Sequence, residues 1–274
     1  SFLCHRDTPL SMFIDPHVHA RDMEESHKET IEHILHVAER AGFSAIFAMP
    51  NTKPALVDED TVKRYLSIAQ EVKSPVWFGV YMALTGNKEQ VKRAVDVQRR
   101  CQNVVGFKLY AGHSTNNTGV VDLESQYGVY QTLASEGYAG VLAVHCEKQE
   151  LLSDFDPADP VTHAERRPAK AEVTSVQEQL MLASGERFKG TLHIAHVSVP
   201  ASVRYSEMFP EVRVTYGVTL QHCTLDLNAM CIPGTGLYRK MNPPLRPAGM
   251  NKELVEMLRD GRIDWVETDH APHR

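Results

Sequence analysis

The stretch Asp15-Pro16-His17-Val18-His19-Ala20-Arg21 follows an apolar segment at residues 12–14 and places two imidazoles two positions apart. On a β-strand, residues two apart point to the same face. His17 and His19 can therefore bind one metal ion, and imidazole is a ligand type that suits zinc. A lone His-x-His pair is more often coincidental or structural. Whether this pair binds a metal therefore depends on the other motifs in the chain.

Other apolar runs along the chain also end in residues that can carry chemistry. Residues 104–107 precede Lys108, residues 141–144 precede His145, and residues 191–195 precede His196. A last run ends at Asp269. An α/β barrel forms its active site from polar groups at the carboxyl ends of several strands.

Apolar runs alternate with helical patterns from end to end, which is typical of β/α repeats and a parallel sheet. We predict eight strands with crossover helices, and hence an α/β fold of the (β/α)₈ TIM-barrel type. The length of 274 residues favours a single domain over residues 1–274. A complete barrel needs an eighth helix, so we expect that the carboxyl end is truncated. The predicted strands after the first cover residues 44–49, 76–82, 104–108, 141–145, 191–196, 212–216 and 263–268.

The clearest helix signal lies between the first two strands. Ser26 with Glu29 three residues later predicts a capping box, and Gly42 predicts the end of the helix. A segment at residues 221–248, rich in proline and glycine, is too long for a simple connection and is predicted to be functional. The apolar face of the first helix comprises Ile31, Ile34, Leu35 and Ala38. Further helices are predicted over residues 58–72, 87–101, 124–136, 169–184 and 252–260.

The composition narrows the class of partner. The formal net charge is −6 and there is no basic run, so nothing indicates nucleic acid or an anionic membrane surface. We expect a small-molecule substrate. No apolar run is long enough for a secretory signal or a membrane span, so we expect a cytoplasmic location.

The five cysteines are scattered without a Cys-x-x-Cys pair, which favours reduced thiols. Cys146 stands beside His145 and could be considered as a nucleophile. Neighbours on a strand face opposite ways, so we interpret Cys146 as a packing residue.

Taken together, these motifs resemble the amidohydrolase superfamily and, within it, the dihydroorotases. The resemblance extends over nearly the whole chain, and the order and spacing of so many motifs are specific. The matching segments are Asp15-Pro16-His17-Val18-His19-Ala20-Arg21-Asp22, Met49-Pro50-Asn51-Thr52-Lys53-Pro54, Gly106-Phe107-Lys108-Leu109-Tyr110, Val144-His145-Cys146-Glu147, His193-Ile194-Ala195-His196-Val197-Ser198, Asn242-Pro243-Pro244-Leu245-Arg246 and Thr268-Asp269-His270-Ala271-Pro272-His273.

The resemblance implies two zinc ions per active site. His17, His19 and Asp269 would hold the more buried ion, His145 and His196 the more exposed one, and a carbamylated Lys108 would bridge them. Chemistry supports the carbamate, because a lysine ammonium between two divalent cations is electrostatically untenable. The alternative is a lysine that only extends its charge to solvent at a strand end.

His193 competes with His196 for the metal, because only one of the two is expected to face the barrel axis. The family motif matches the histidine before Val197-Ser198, so we choose His196 and interpret His193 as packing. The other histidines are expected to be solvated or in loops, with His222 the least certain. They are His5, His27, His33, His36, His113, His163 and His222.

The resemblance also implies the reaction, which is the reversible cyclisation of N-carbamoyl-L-aspartate to L-dihydroorotate in pyrimidine biosynthesis. A hydroxide between the two zinc ions would attack the ring amide, with Asp269 carrying the proton to the leaving nitrogen. A planar guanidinium is the natural partner of the substrate carboxylate, and Arg21 lies two residues beyond His19. The alternative for Arg21 is a surface salt bridge. Further substrate-binding candidates are Asn51, His273, Tyr110 and Asn242.

Two other functions remain open at this level. A hydantoinase or allantoinase would keep the whole metal site but would have no use for a carboxylate clamp at Arg21 and Asn51. A catalytically inactive partner subunit would lack ligands, and none is missing. We expect a homodimer. The short segment before the first strand resembles compact dihydroorotases, whereas Asn242-Pro243-Pro244-Leu245-Arg246 and Thr162-His163 resemble longer ones, so the subfamily is undecided.

Overall fold

Eight parallel strands form the centre of the molecule, and each strand pairs with the next one along the chain. The structure is a computed structural model that describes residues 13–114, 116 and 118–273. The predicted parallel barrel is confirmed. The strands are β1 (Phe13–Val18), β2 (Phe43–Ala48), β3 (Trp77–Ala83), β4 (Val104–Ala111), β5 (Val141–Cys146), β6 (Thr191–Ile194), β7 (Val214–Thr219) and β8 (Trp265–Glu267).

Helices connect the strands and cover the outside of the barrel. Among the described residues, no helix is long and apolar enough to span a membrane. The α-helices are α1 (Ile31–Arg40), α2 (Glu59–Val72), α3 (Lys88–Arg100), α4 (Leu123–Ser135), α5 (Pro160–Glu165), α6 (Ala169–Gly185), α7 (Pro200–Arg204), α8 (Leu220–Thr224) and α9 (Met250–Arg259).

The barrel closes between its first and last strands at their carboxyl ends. Val18 forms a parallel bridge with His270, and the backbone N–H of His19 donates to the His270 carbonyl at 2.7 Å. Asp15 adds side-chain bonds across the same junction, with its Oδ2 2.5 Å from Thr268 Oγ1. The junction therefore lies beside the histidines of the Asp15–Arg21 stretch.

Helix α1 buries the predicted apolar face of Ile31, Ile34, Leu35 and Ala38 against the strands. Burying a large aliphatic side chain stabilises a fold by roughly 1.5–3 kcal/mol. The predicted capping box is wrong. Thr30 is the N-cap, because its side chain accepts from the backbone N–H of His33, and the Asp22 carboxylate accepts from the backbone N–H of Ile31 at 2.8 Å.

Two strand ends differ from the prediction in ways that affect the site. Strand β4 continues three residues past Lys108 to Ala111, so Lys108 lies within the barrel wall. Strand β6 ends at Ile194, two residues before His196. His196 adopts a φ of 38°, in the left-handed region, which ends the strand geometry. The segment predicted as a long loop contains α8 and two 3₁₀ turns at Leu227–Cys231 and Gly236–Arg239.

Candidate metal centre

Two strands that are far apart in sequence bring three potential ligands together. His17 Nε2 lies 3.3 Å from Asp269 Oδ1, and His19 Nε2 lies 3.0 Å from the same oxygen. One ligand atom from each of the three side chains lies within 4.8 Å of the other two. Imidazole nitrogens and a carboxylate at this spacing can hold a metal ion of the zinc type.

The opposite nitrogens of the two histidines have their own acceptors. His17 Nδ1 lies 3.3 Å from Glu267 Oε1, and His19 Nδ1 lies 2.7 Å from Asn51 Oδ1. The Asn51 contact favours a proton on His19 Nδ1 and a lone pair on its Nε2. The His17–Glu267 contact is at ion-pair distance without hydrogen-bond geometry. Histidines that bind metals almost always donate their second N–H in this way.

A second pair of imidazoles faces the first. His145 Nδ1 lies 3.2 Å from His196 Nε2, and the rings of His17 and His196 are 5.1 Å apart. His145 Nε2 contacts Glu147 Oε2 at 2.9 Å, and Arg167 Nε donates to the other oxygen of Glu147 at 3.0 Å. His145 Nδ1 and His196 Nε2 therefore face a common space.

Lys108 on β4 completes the group. It is fully buried, and its Nζ has no hydrogen-bond partner among the residues that the structure describes. Its neighbours in the sheet are Ala83 and Ala143, whose small side chains leave room for the lysine. Burial lowers the pKa of Lys108 to about 8. The sequence alternative, in which Lys108 extends to solvent, is wrong.

The environment favours the protonation states that metal ligands need. Burial lowers the pKa of His17 to about 4 and that of His196 well below its ordinary value. Burial alone would raise the pKa of Asp269, but His17 and His19 hold it well below the usual range. The lowered pKa values of His17 and His196 favour the neutral imidazole that a metal ligand needs.

The predicted substrate residues lie at different distances from this centre. Arg21 is 4% exposed, and its Nε has no hydrogen-bond partner among the described residues. Its closest carboxylate is Glu25, 3.8 Å from Nη1, so the alternative of a surface salt bridge is wrong. Tyr110 is buried, with its ring 6.4 Å from that of His145.

Two further substrate candidates occupy more open positions. His273 is exposed, and burial of part of its ring together with the charge of Arg21 lowers its pKa. Asn242 is exposed, and its Oδ1 lies 2.9 Å from His163 Nε2. In the described parts of the chain, no hydrogen bond joins Asn242 to a predicted metal ligand.

The expectation that only one of His193 and His196 faces the barrel axis is wrong. His193 points inward from β6, with Nε2 3.2 Å from Glu267 Oε2, and stacks on Trp265. His196 reaches the interior as well, because its left-handed backbone breaks the alternation of the strand. His193 is therefore a hydrogen-bonded interior residue one level below the predicted ligands.

Two histidines that were expected in solvent are buried. His163 and His222 are each 3% exposed. His222 lies with Nδ1 2.8 Å from Thr219 Oγ1 and Nε2 3.0 Å from the Pro243 carbonyl. The predicted exposure does hold for His27, His33, His36 and His113, whereas His5 lies outside the described residues.

Sequence reasoning gave no role to three residues that contact the ligands or their partners, namely Glu147, Arg167 and Glu267. A signal for Glu267 was available, because it stands two positions before Asp269 on a strand and should share its face. Glu147 has the same spacing from His145. The packing role of Cys146 agrees with its 2% exposure and with burial that raises the thiol pKa.

Solved structures with the same barrel define the class of fold. The L-hydantoinase (dihydropyrimidinase) of Arthrobacter aurescens has a TM-score of 0.80 and 24% identity over 95% of this chain and 58% of that chain. The dihydroorotase of Saccharomyces cerevisiae, solved in complex with 5-fluoroorotic acid, has a TM-score of 0.75 and 22% identity. It aligns with 96% of this chain and 70% of its own. At these identities the likeness establishes the TIM-barrel fold.

Sequence comparison points to one kind of protein within that class. The dihydroorotase of Macrococcus caseolyticus is 30% identical over 272 residues, covering 95% of this chain. Other curated relatives with similar identity and coverage are also named dihydroorotase. The chain spans about 60% of the length of the curated relatives it matches. No protein-family model matches the chain.

Proposed function

We propose that this chain carries the active site of a dihydroorotase, which interconverts N-carbamoyl-L-aspartate and L-dihydroorotate. The observation that carries the proposal is a set of metal-type ligands beside two buried cations, Lys108 and Arg21, that lack full hydrogen-bond partners. Lys108 is suited to a bridge between metal ions, and Arg21 is suited to binding a substrate carboxylate. The names of the relatives support the same reaction.

Two zinc ions fit the residues present. His17, His19 and Asp269 would hold one ion, while His145 and His196 would hold the other. Bound divalent ions make hydroxide available near neutral pH and polarise a carbonyl group.

Lys108 would bridge the two ions as a carbamate. Its amine is buried and has no hydrogen-bond partner among the described residues, and burial outweighs the charges of Glu267 and Asp269 in lowering its pKa. Reaction with carbon dioxide converts the amine to an anion with two oxygen ligands, which removes the repulsion between an ammonium and the metals.

Asp269 would move the proton. Its carboxylate lies at the centre of the first ligand set and is held in the ionised form by His17 and His19. In hydrolysis it would accept a proton from the attacking water and donate it to the leaving ring nitrogen. Ring closure would use the same group in the opposite direction.

Arg21 would bind the substrate carboxylate, with Asn51 and His273 beside it. A guanidinium forms two parallel hydrogen bonds with a carboxylate, and its planar shape fixes the orientation of the ring. Asn51 already has its side-chain oxygen on His19, so its amide N–H groups are directed elsewhere. Tyr110 and Asn242 are weaker candidates for substrate contact.

The test combines metal analysis with two substrates. Protein purified without chelator should contain close to two zinc ions per chain and should turn over dihydroorotate. Arg21→Met should lower kcat/KM for dihydroorotate by about 10- to 100-fold, because a buried carboxylate loses a charge-assisted partner. Turnover of a hydantoin ring that lacks the carboxylate is the control and should be nearly unchanged by the substitution.

A hydantoinase is the second candidate, and the TM-score of 0.80 with the L-hydantoinase favours it as far as the fold goes. Equal losses on both substrates after Arg21→Met, with hydantoin the faster one in the unsubstituted protein, would support this alternative. The homodimer and the cytoplasmic location expected from the sequence stay predictions.

A further inference from the structure

A carboxylate outside the proposed ligand set lies directly behind two of the ligands. Glu267, the last residue of β8, is 1% exposed. Its Oε1 accepts from the backbone N–H of His196 at 2.6 Å and lies 3.3 Å from His17 Nδ1. Its Oε2 lies 3.2 Å from His193 Nε2 and 3.3 Å from Trp265 Nε1. Both oxygens therefore lie beside nitrogen atoms from three strands or their ends.

The barrel is shaped to admit this side chain. Gly217 on β7 lies beside Glu267, and a Cβ at that glycine would come within 2.4 Å of Oε2 and 2.5 Å of Cδ. On the other side, His193 and Trp265 stack with their ring centroids 4.7 Å apart. A larger residue at position 217 would therefore displace the Glu267 carboxylate.

One oxygen of Glu267 serves both halves of the metal centre. His17 lies between two carboxylates, with Nδ1 3.3 Å from Glu267 Oε1 and Nε2 3.3 Å from Asp269 Oδ1. The contact with Glu267 therefore holds the ring with Nε2 toward Asp269. His196 reaches the centre through a backbone turn with φ 38°, a conformation that residues other than glycine seldom adopt. The hydrogen bond from the His196 N–H to Oε1 holds that turn.

We propose that Glu267 is a positioning residue that orients the ring of His17 and holds the turn of His196 through Oε1, with His193 and Trp265 fixing Oε2. The inference rests on the proposed function, because it takes His17 and His196 as ligands of two different ions. Although Glu267 binds neither ion, its loss should weaken both sites.

The test compares two buried carboxylates. Glu267→Gln removes the charge and places an amide where three hydrogen bonds and the His17 Nδ1 contact converge. Glu172→Gln is the matched control, because Glu172 is also 1% exposed and also accepts backbone N–H groups just after β6, from Ser198 and Val199. It contacts none of the proposed ligands in the described residues.

The main measurement is zinc affinity, determined by competition with a chromophoric chelator. Glu267→Gln should bind zinc about 10- to 100-fold more weakly, as expected for the loss of a partner behind a ligand. Glu172→Gln should remain within about twofold of the unsubstituted protein, whatever its loss of thermal stability. At saturating zinc, Glu267→Gln should lower kcat for dihydroorotate and leave KM nearly unchanged.

Glu267→Asp keeps the charge but is one methylene shorter, so it should bind zinc less tightly than the unsubstituted protein and more tightly than Glu267→Gln. If Glu267→Gln does not fold, the zinc affinity of Glu267→Asp tests the proposal instead. An affinity equal to that of the unsubstituted protein would then overturn the proposal. Equal zinc affinities in Glu267→Gln and Glu172→Gln would overturn it too.

The proposed function fails in a distinguishable way. An unsubstituted protein that binds zinc without turning over dihydroorotate would refute the reaction but not the comparison of zinc affinities. An unsubstituted protein that binds no zinc would overturn both.

Discussion

One pair of histidines comes from the end of β1 and another from β6 and the residues just after it, and the two pairs reach the interior of the barrel by different means. His17 and His19 come from the end of β1, two residues apart, with both Nε2 atoms near Asp269. His193 lies in β6 and His196 lies two residues beyond its end, three residues from its companion. Only a left-handed turn at His196 brings the second pair inward together.

The difference shows that contact with a common carboxylate does not define a common role. His17 and His193 both lie within 3.3 Å of Glu267. Beyond that contact, His17 presents its second nitrogen to Asp269, whereas His193 presents its Nδ1 to Thr215 Oγ1 at 3.1 Å. The position of each residue along its strand, rather than its type or burial, separates the proposed ligand from the residue that supports it.

The largest expected effect comes from substituting the two inner histidines in parallel. Asparagine keeps a polar atom near the Nδ1 position and removes Nε2. His17→Asn should lose zinc and lower kcat/KM for dihydroorotate by about 10³-fold or more, because a ligand is gone. His193→Asn should lower it by only about 10-fold, through the loss of a contact with Glu267. Steady-state assays and zinc analysis measure both effects. Equal losses of kcat/KM and of zinc in the two variants would contradict different roles for His17 and His193.

Lys108→Ala tests the proposed bridge between the two metal sites. Removing the proposed bridge should lower zinc content and reduce kcat by about 10²- to 10³-fold, since the two sites lose their shared anionic ligand. Adding a short-chain carboxylic acid should restore part of both quantities. A lack of rescue, or a plain lysine beside two bound metals in a crystal structure, would contradict the carbamate.

Asp269 is the acid common to both histidines of the β1 pair. Asp269→Asn should retain at least one zinc ion and lower kcat by about 10²-fold, the range typical of a lost general acid–base. Single-turnover measurements at saturating dihydroorotate would separate this step from binding. A variant with nearly normal kcat would mean that the proton travels through another group.

The smallest effect concerns a buried histidine outside both pairs. Burial lowers the pKa of His222 to about 4 in the folded protein, against about 6.5 when unfolded. The unfolded state therefore binds more protons below pH 6.5, so His222 lowers the free energy of unfolding progressively as the pH falls from about 6.5 to 4.

Replacing His222 with glutamine removes this titration. Between pH 7 and pH 5, the unsubstituted protein should lose about 2 kcal/mol more stability than His222→Gln. Urea unfolding in the presence of chelator measures the difference without a contribution from metal loss. Parallel pH dependences in the two proteins would show that His222 is protonated equally in both states.

Much of the β1 side could be predicted from the sequence, because strand alternation alone places His17 and His19 on one face. The apolar run before Lys108 placed this residue at the end of a predicted strand, but it could not reveal that β4 continues past it to Ala111. The rule failed at His196, where a single backbone angle of 38° depends on a hydrogen bond to Glu267, a residue 71 positions away. Burial of His222 depends likewise on the Pro243 carbonyl, a contact that no local pattern encodes.

The junction between β1 and β8 closes the barrel between its first and last strands. His19 and Asp269 are 250 residues apart in sequence, yet their side chains meet at 3.0 Å beside the only backbone bridge described between the two strands. Closing so long a loop costs chain entropy that a few hydrogen bonds repay only in part. A metal ion bound by His19 and Asp269 would cross-link the two strands at this junction. Chelation should therefore speed amide hydrogen exchange at His19 before it affects exchange at the centre of β4.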